Sequence, residues 1–141
     1  MPSADSVSVV MDASTTISFL MHDEQAPAAV AVLDEIENGL VPHVPDHWRH
    51  EVNNALCSAE HSRRMAPAQA ESRIALAANL TTQKDPTDAD AIAKALVLAR
   101  RHKIHLYDAL YLELALRKTA ALATIDKRLA AAAHSENVQV I

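Results

Sequence analysis

Short apolar runs recur along this chain, each followed by a longer segment of helical character, and that alternation restricts its fold more than any other feature. Val7-Ser8-Val9-Val10-Met11 is one such run, Leu40–Val44 a second and Ala121-Leu122-Ala123-Thr124-Ile125 a third. Alternation of this kind is the pattern of an α/β domain with a central, mainly parallel sheet flanked by helices.

The expected elements follow from local signals. A first strand covers about residues 6–12, and a helix runs from Ser14 or Thr15 to Met21. A second helix spans about Pro27 to Glu37; Pro27 suits its first turn and Asn38-Gly39 ends it. Leu40–Val44 is a short strand, after which Asp46 is expected to cap a long helix reaching about Arg64. Pro67 opens a helix over Ala68–Leu80, and Thr81–Pro86 reads equally as strand edge or loop. Thr87-Asp88-Ala89-Asp90 resembles a capping box for a helix ending near His102. Then come a helix over Leu106–Lys118, a strand over Ala120–Ile125, a helix over Lys127–Ala133 and a last strand over Val138–Ile141.

Composition removes whole classes of function. The 141 residues suit one domain, 1–141, and half of them are hydrophobic, enough for a core. Gly39 is the single glycine, so neither a P-loop nor a dinucleotide fingerprint can exist. Cys57 is the single cysteine, which excludes an internal disulfide and fits a reducing cytoplasm. No basic segment precedes the first apolar run, so no signal peptide is expected, and no stretch approaches the roughly 18 apolar residues of a membrane span. A net charge of −5 and 3% aromatic residues argue against a tight nucleic-acid coat or a broad stacking platform. Arg63-Arg64 and Arg100-Arg101-His102-Lys103 are local basic clusters that read first as solvated faces.

Four acids stand where apolar surroundings give no structural reason for them: Asp12, Glu51, Asp108 and Asp126. Asp12 and Asp126 each end an apolar run, the place where open parallel sheets bind ligands. Asp108 opens an apolar helix, and Glu51 is expected near the middle of another, with Asn54 and Ala55 one turn on. A buried carboxylate is costly unless paired or bound to metal. Four of them without matching cations nearby in sequence suggest one shared site for a hard cation such as Mg²⁺ or Mn²⁺. Each acid alone has a plainer reading. Asp12 and Asp126 would serve as helix N-caps, Asp108 as a favourable first-turn charge and Glu51 as a solvated helix residue. The functional case rests on the set.

Other constellations carry less. His43, His47 and His50 conceivably form a zinc site, but H-E-x-x-H is absent and surface histidines are expected. Cys57 reads as a small core residue, and Trp48 and Tyr111 as core or interface residues.

In order along the chain, Val10-Met11-Asp12-Ala13-Ser14, the segment Pro45–Leu56 ending in Glu51-Val52-Asn53-Asn54-Ala55-Leu56, Leu106-Tyr107-Asp108-Ala109-Leu110-Tyr111-Leu112-Glu113-Leu114-Ala115, and Leu122-Ala123-Thr124-Ile125-Asp126-Lys127-Arg128-Leu129 resemble the motifs of the PIN-domain family. The resemblance is strongest to VapC-type toxin ribonucleases of bacterial toxin–antitoxin pairs and covers nearly the whole chain. It implies a three-layer α/β/α domain whose metal site is Asp12, Glu51, Asp108 and Asp126. Ser14 and Thr124 would support that site through their hydroxyls, and Asn54 would orient Glu51. It also implies Mg²⁺- or Mn²⁺-dependent hydrolysis of RNA leaving 5′-phosphate and 3′-hydroxyl ends, a cognate VapB-like antitoxin and a homodimer.

Two other classes stand beside this one, a phosphotransfer domain and a pure binding module. Asp12-Ala13-Ser14-Thr15 resembles haloacid-dehalogenase-type phosphatases, but those place a second Asp where Ser14 stands. A signalling receiver domain would need a lysine near the last strands in a setting that Lys127 does not have. A non-catalytic binding module of the PIN type is the third possibility, against which the intact set of acids argues.

Overall fold

The computed structural model of the chain describes residues 7–21 and 25–141. Ser6, the first residue of the expected opening strand, lies outside them. The strand itself runs Val9–Met11 (β1), and helix α1 follows at once over Ala13–Leu20. Helix α2 (Pro27–Glu37), strand β2 (His43–Pro45), helices α3 (Trp48–His61) and α4 (Pro67–Asn79), and strand β3 (Gln83–Asp85) come next. Helices α5 (Ala89–His102) and α6 (Leu106–Lys118), strand β4 (Ala121–Ala123) and helix α7 (Lys127–Ser135) complete the order.

The sheet has four parallel strands in the order β3-β2-β1-β4. Val9, Val10 and Met11 stand opposite Ala121, Leu122 and Ala123, and Val10 faces His43 on the other side. The chain therefore lays β2 and β3 on one side of β1, then returns to place β4 on the other. Strand order reverses at the β1–β4 seam, the place where open parallel sheets bind ligands, outside the carboxyl ends.

Helix α6 packs against β1, β2, β4, α5 and α7. Its residues Ala109–Ala115 are all buried, because a helix enclosed by neighbours has no solvent face to fill with polar side chains. Glu113 is the exception within that run; it is ion-paired to Arg117 at 3.0 Å, so its burial leaves no uncompensated charge. Val10, Met11, Leu122, Trp48, Leu56 and Leu112 fill the core around it.

Several local expectations are corrected. Asp46 does not cap α3: its carboxylate accepts the Thr87 N–H at 2.9 Å, and the N-cap is His47 without a side-chain bond. The helix begins at Trp48, one residue later than an Asp46 cap would set it, and Glu51 lies in its first turn rather than near its middle. Asp88, not Thr87, caps α5, accepting the Ala91 N–H at 2.8 Å. The ambiguous segment over Thr81–Pro86 contains an edge strand, β3. The last strand shrinks to one bridge, Val140 against Leu122. Cys57 is exposed rather than a core residue. Gly39 does end α2: its φ is +107°, its N–H bonds Ile36 O, and the next N–H, of Leu40, reaches Glu35 O. That pair of bonds is the Schellman closure, which needs a left-handed residue at this position. No helix among the described residues is long and apolar enough to cross a membrane.

Candidate active site

Asp12 leaves β1 and Asp126 follows β4, so the two acids flank the seam where strand order reverses. Both also cap helices. Asp12 Oδ1 accepts the Thr15 N–H at 2.9 Å, and Asp126 Oδ1 accepts the Leu129 N–H at 2.9 Å. The plain reading of these acids is therefore correct and compatible with the functional one, because a cap occupies one lone pair of a carboxylate that has about four.

Hydroxyls tie the seam together. Thr124 donates to Asp12 Oδ2 at 2.5 Å and accepts the Asp126 N–H at 3.0 Å. Ser14 lies 2.8 Å from both Asp12 oxygens and accepts the Ile125 N–H at 3.2 Å. Each hydroxyl donates on one strand end and accepts from the other, which fixes the Asp12 rotamer. Asp12 is buried, and burial pushes its carboxyl up; bonds from Thr124, Thr15 and Ser14 oppose that rise without cancelling it. Beneath it, Thr16 Oγ1 donates to Asp12 O at 3.0 Å and accepts the Trp48 indole N–H at 3.0 Å. Sequence reasoning missed Thr16; a lone threonine in a helix carries no signal of such a link.

Glu51 is held from two sides. The Tyr111 hydroxyl donates to Oε1 at 2.6 Å, and His47 Nε2 lies 3.2 Å from the same oxygen. Burial raises this carboxyl, but the bonds from His47 and Tyr111 outweigh it and leave Glu51 below its ordinary value. Tyr111, buried and facing the Glu51 charge, is pushed far above the ordinary phenol. It therefore acts only as a donor. Asn54 is exposed and does not bond Glu51; the orienting partners are Tyr111 and His47. His47 is accordingly no plain surface histidine. Nor is His43, whose Nδ1 pairs with buried Asp85 at 2.7 Å, while His50 is exposed as expected.

Asp108 stands in the first turn of α6, half-buried, and no described residue donates a hydrogen bond to it. Burial raises its carboxyl first, and the charges of Asp126 and Glu51 raise it further, against weaker opposition from His105 and His47. Asp108, Asp126 and Glu51 thus share one electrostatic neighbourhood, and Asp12 joins it through Tyr111, which feels both Glu51 and Asp12. Among the described residues, no Lys or Arg pairs with any of the four. No three acid, histidine or cysteine side chains there close into a ready cage for a metal ion. The site is a concentration of negative charge lined by fixed donors on one side and left open on the other.

The PIN-domain family model matches residues 9–135. No curated protein is significantly similar in sequence to this chain. Solved structures share the fold at low identity. PAE2754 from Pyrobaculum aerophilum superposes with a TM-score of 0.72 at 18% identity, covering 95% of this chain and 83% of that one. VapC20 of Mycobacterium tuberculosis, a toxin that cleaves the sarcin–ricin loop, gives 0.68 at 18%, covering 89% and 95%. VapBC2 from Rickettsia felis, solved bound to a DNA fragment from its promoter, gives 0.65 at 11%, covering 94% and 96%.

Proposed function

Because this chain belongs to the PIN-domain family, we propose that it is a metal-dependent endoribonuclease of the VapC toxin type. The observation that carries this reading is the position of Asp12 and Asp126 at the reversal of strand order, with Asp108 and Glu51 in the same field and, among the described residues, no Lys or Arg paired with any of them. An excess of carboxylate charge around an unbonded Asp108 suits a divalent cation. Mg²⁺ keeps several waters and takes one or two carboxylates directly, so it needs no closed cage; Mn²⁺ shares that preference for oxygen ligands.

Asp12, Glu51, Asp108 and Asp126 would hold the ion, directly or through its waters. When bound, it would polarise the scissile phosphate and lower the pKa of a bound water. The chain supplies the rest. Ser14 and Thr124 keep Asp12 in one rotamer, and Tyr111 and His47 keep Glu51 charged and aimed. The Asp108 carboxylate has no competing donor to displace. No side-chain nucleophile is needed: water would attack in line with the 3′-oxygen as leaving group, and the family resemblance implies products with 5′-phosphate and 3′-hydroxyl ends.

A VapB-like antitoxin that covers the acids, a homodimer and a cytoplasmic setting belong to the same reading. The toxin–antitoxin complexes among the fold relatives support the antitoxin. A phosphatase of the haloacid-dehalogenase kind is disfavoured further by Ser14, whose hydroxyl is bonded to Asp12 where that chemistry would want a second acid. The test is cleavage of a mixed tRNA and single-stranded RNA pool with Mg²⁺ and with EDTA. Cuts that require metal and leave 5′-phosphates are expected; cuts that persist in EDTA would sink the proposal.

A further inference from the structure

Tyr107 is the most exposed large apolar side chain among the described residues, at 59%, and it immediately precedes Asp108. Its ring is not loose. His47 stacks against it with centroids 5.0 Å apart and planes 21° from parallel. His47 Nε2 also lies 3.1 Å from Tyr107 O and 3.2 Å from Glu51 Oε1. Both of those partners are acceptors, so Nε2 carries a proton and holds the first turn of α6 to the first turn of α3. Tyr111 braces His47 from a second direction, at 4.7 Å and 59°. A rigid aromatic pair therefore stands beside the acids, with the free face of Tyr107 turned to solvent.

The surrounding charge says what such a face is for. The chain carries −5 overall, and the carboxylates of the site, wherever no cation offsets them, repel the phosphates of an approaching RNA. Contacts that do not depend on phosphate charge therefore add affinity close to the site. Stacking on an aromatic ring is such a contact; it works with any base, and alanine substitution shows it to be worth about five- to a hundredfold in affinity per base. A ring already backed by His47 loses little freedom on binding.

Resting on the ribonuclease reading above, the geometry points to Tyr107 as the stacking platform for a nucleobase next to the scissile phosphate. The platform places one base against the ring while the phosphate beside it reaches Asp108 and its neighbours.

The test is binding, which does not require cleavage. A fluorescein-labelled oligoadenylate about eight nucleotides long and an abasic strand of equal length are titrated onto the full chain carrying Asp108→Asn, with Mg²⁺ present. The proposal expects the oligoadenylate to bind at least about tenfold tighter than the abasic strand. Tyr107→Ala should collapse that difference, and Tyr107→Phe should restore it to within about twofold, since stacking needs the ring and not the hydroxyl. Equal binding of both strands by the parent, no binding of oligoadenylate, or unchanged preference in Tyr107→Ala each overturns it. Loss of a co-purifying antitoxin from Tyr107→Ala with unchanged RNA preference also overturns it, in favour of a ring that docks protein. The two readings fail separately. Stacking without metal-dependent cuts by the wild-type chain removes the nuclease, and cuts indifferent to Tyr107→Ala remove the platform.

Discussion

Tyr111 donates its hydroxyl proton to Glu51 Oε1 at 2.6 Å, joining the enclosed helix α6 to the first turn of α3. The bond makes a core residue part of the acid site. Tyr111→Phe keeps the ring and removes only the donor. A hydrogen bond to a charged acceptor that is partly solvated is worth about 1–2 kcal/mol, and that loss is expected in urea unfolding at neutral pH. Glu51 lies below its ordinary value in the fold, so its contribution to stability is present above the ordinary carboxylate range and disappears as pH falls through the folded value. The deficit of Tyr111→Phe should therefore shrink in acid. An equal deficit at all pH values would mean that packing, not the bond, was lost.

Thr124 is placed to serve both seam acids, accepting from Asp126 N–H and donating to buried Asp12. Thr124→Val conserves shape and leaves both groups short of a partner. The expected cost is about 1–3 kcal/mol, with a fall in RNA cleavage because the Asp12 rotamer loosens. Thr124→Ser should recover most of both losses. Recovery of stability by Ser without recovery of activity would show that Thr124 has no part in aiming Asp12.

Thr119 closes α6 in the left-handed region, with φ +50°. That conformation costs an L residue about 1–2 kcal/mol, against roughly 0.5–1 kcal/mol of extra chain entropy for glycine. Thr119→Gly should raise stability by about 0.5–1 kcal/mol, read as a higher urea midpoint at unchanged slope. A lower midpoint would place the balance on the entropy side.

Asp12, Asp108 and Asp126 stand out in the sequence because each adjoins an apolar segment, and the sheet class follows from the same segments; Glu51, between His50 and Asn53-Asn54, is marked only by the family motif. What could not be read were features set by contacts between distant residues. Asp46 has the chemistry of a helix cap, but the Thr87 N–H, far along the chain, occupies it, and the cap position falls to His47. His47 looks like any histidine until α6 brings Tyr107 and Tyr111 against it. Asn54 shares a helix with Glu51 but is exposed, and the donors that hold Glu51 come from Tyr111 and His47. Val138–Ile141 has strand-like residues, yet only Val140 forms a bridge.

Asp108 gives the cleanest separation of function from stability. Burial, then the Asp126 and Glu51 charges, hold its carboxyl above the ordinary value, so its charged form destabilises the fold. That penalty is absent below the unfolded value near 3.8, grows as pH rises from there to the folded value and stays constant above it. Asp108→Asn removes it without breaking a hydrogen bond. The variant should gain about 0.5–1 kcal/mol at pH 7, with the gain fading toward pH 4, and Mg²⁺ should raise its Tm less than that of the wild type. A variant no more stable than wild type would deny the crowding of acids.

The most direct measurement of the central claim joins that melting curve to activity: RNA cleavage in Mg²⁺ by wild-type chain and by Asp108→Asn, each first shown to be folded. The account predicts a variant that melts above the wild-type temperature without metal and no longer cuts with it. A folded Asp108→Asn that cuts at the wild-type rate would contradict the claim that these four carboxylates are the catalytic centre.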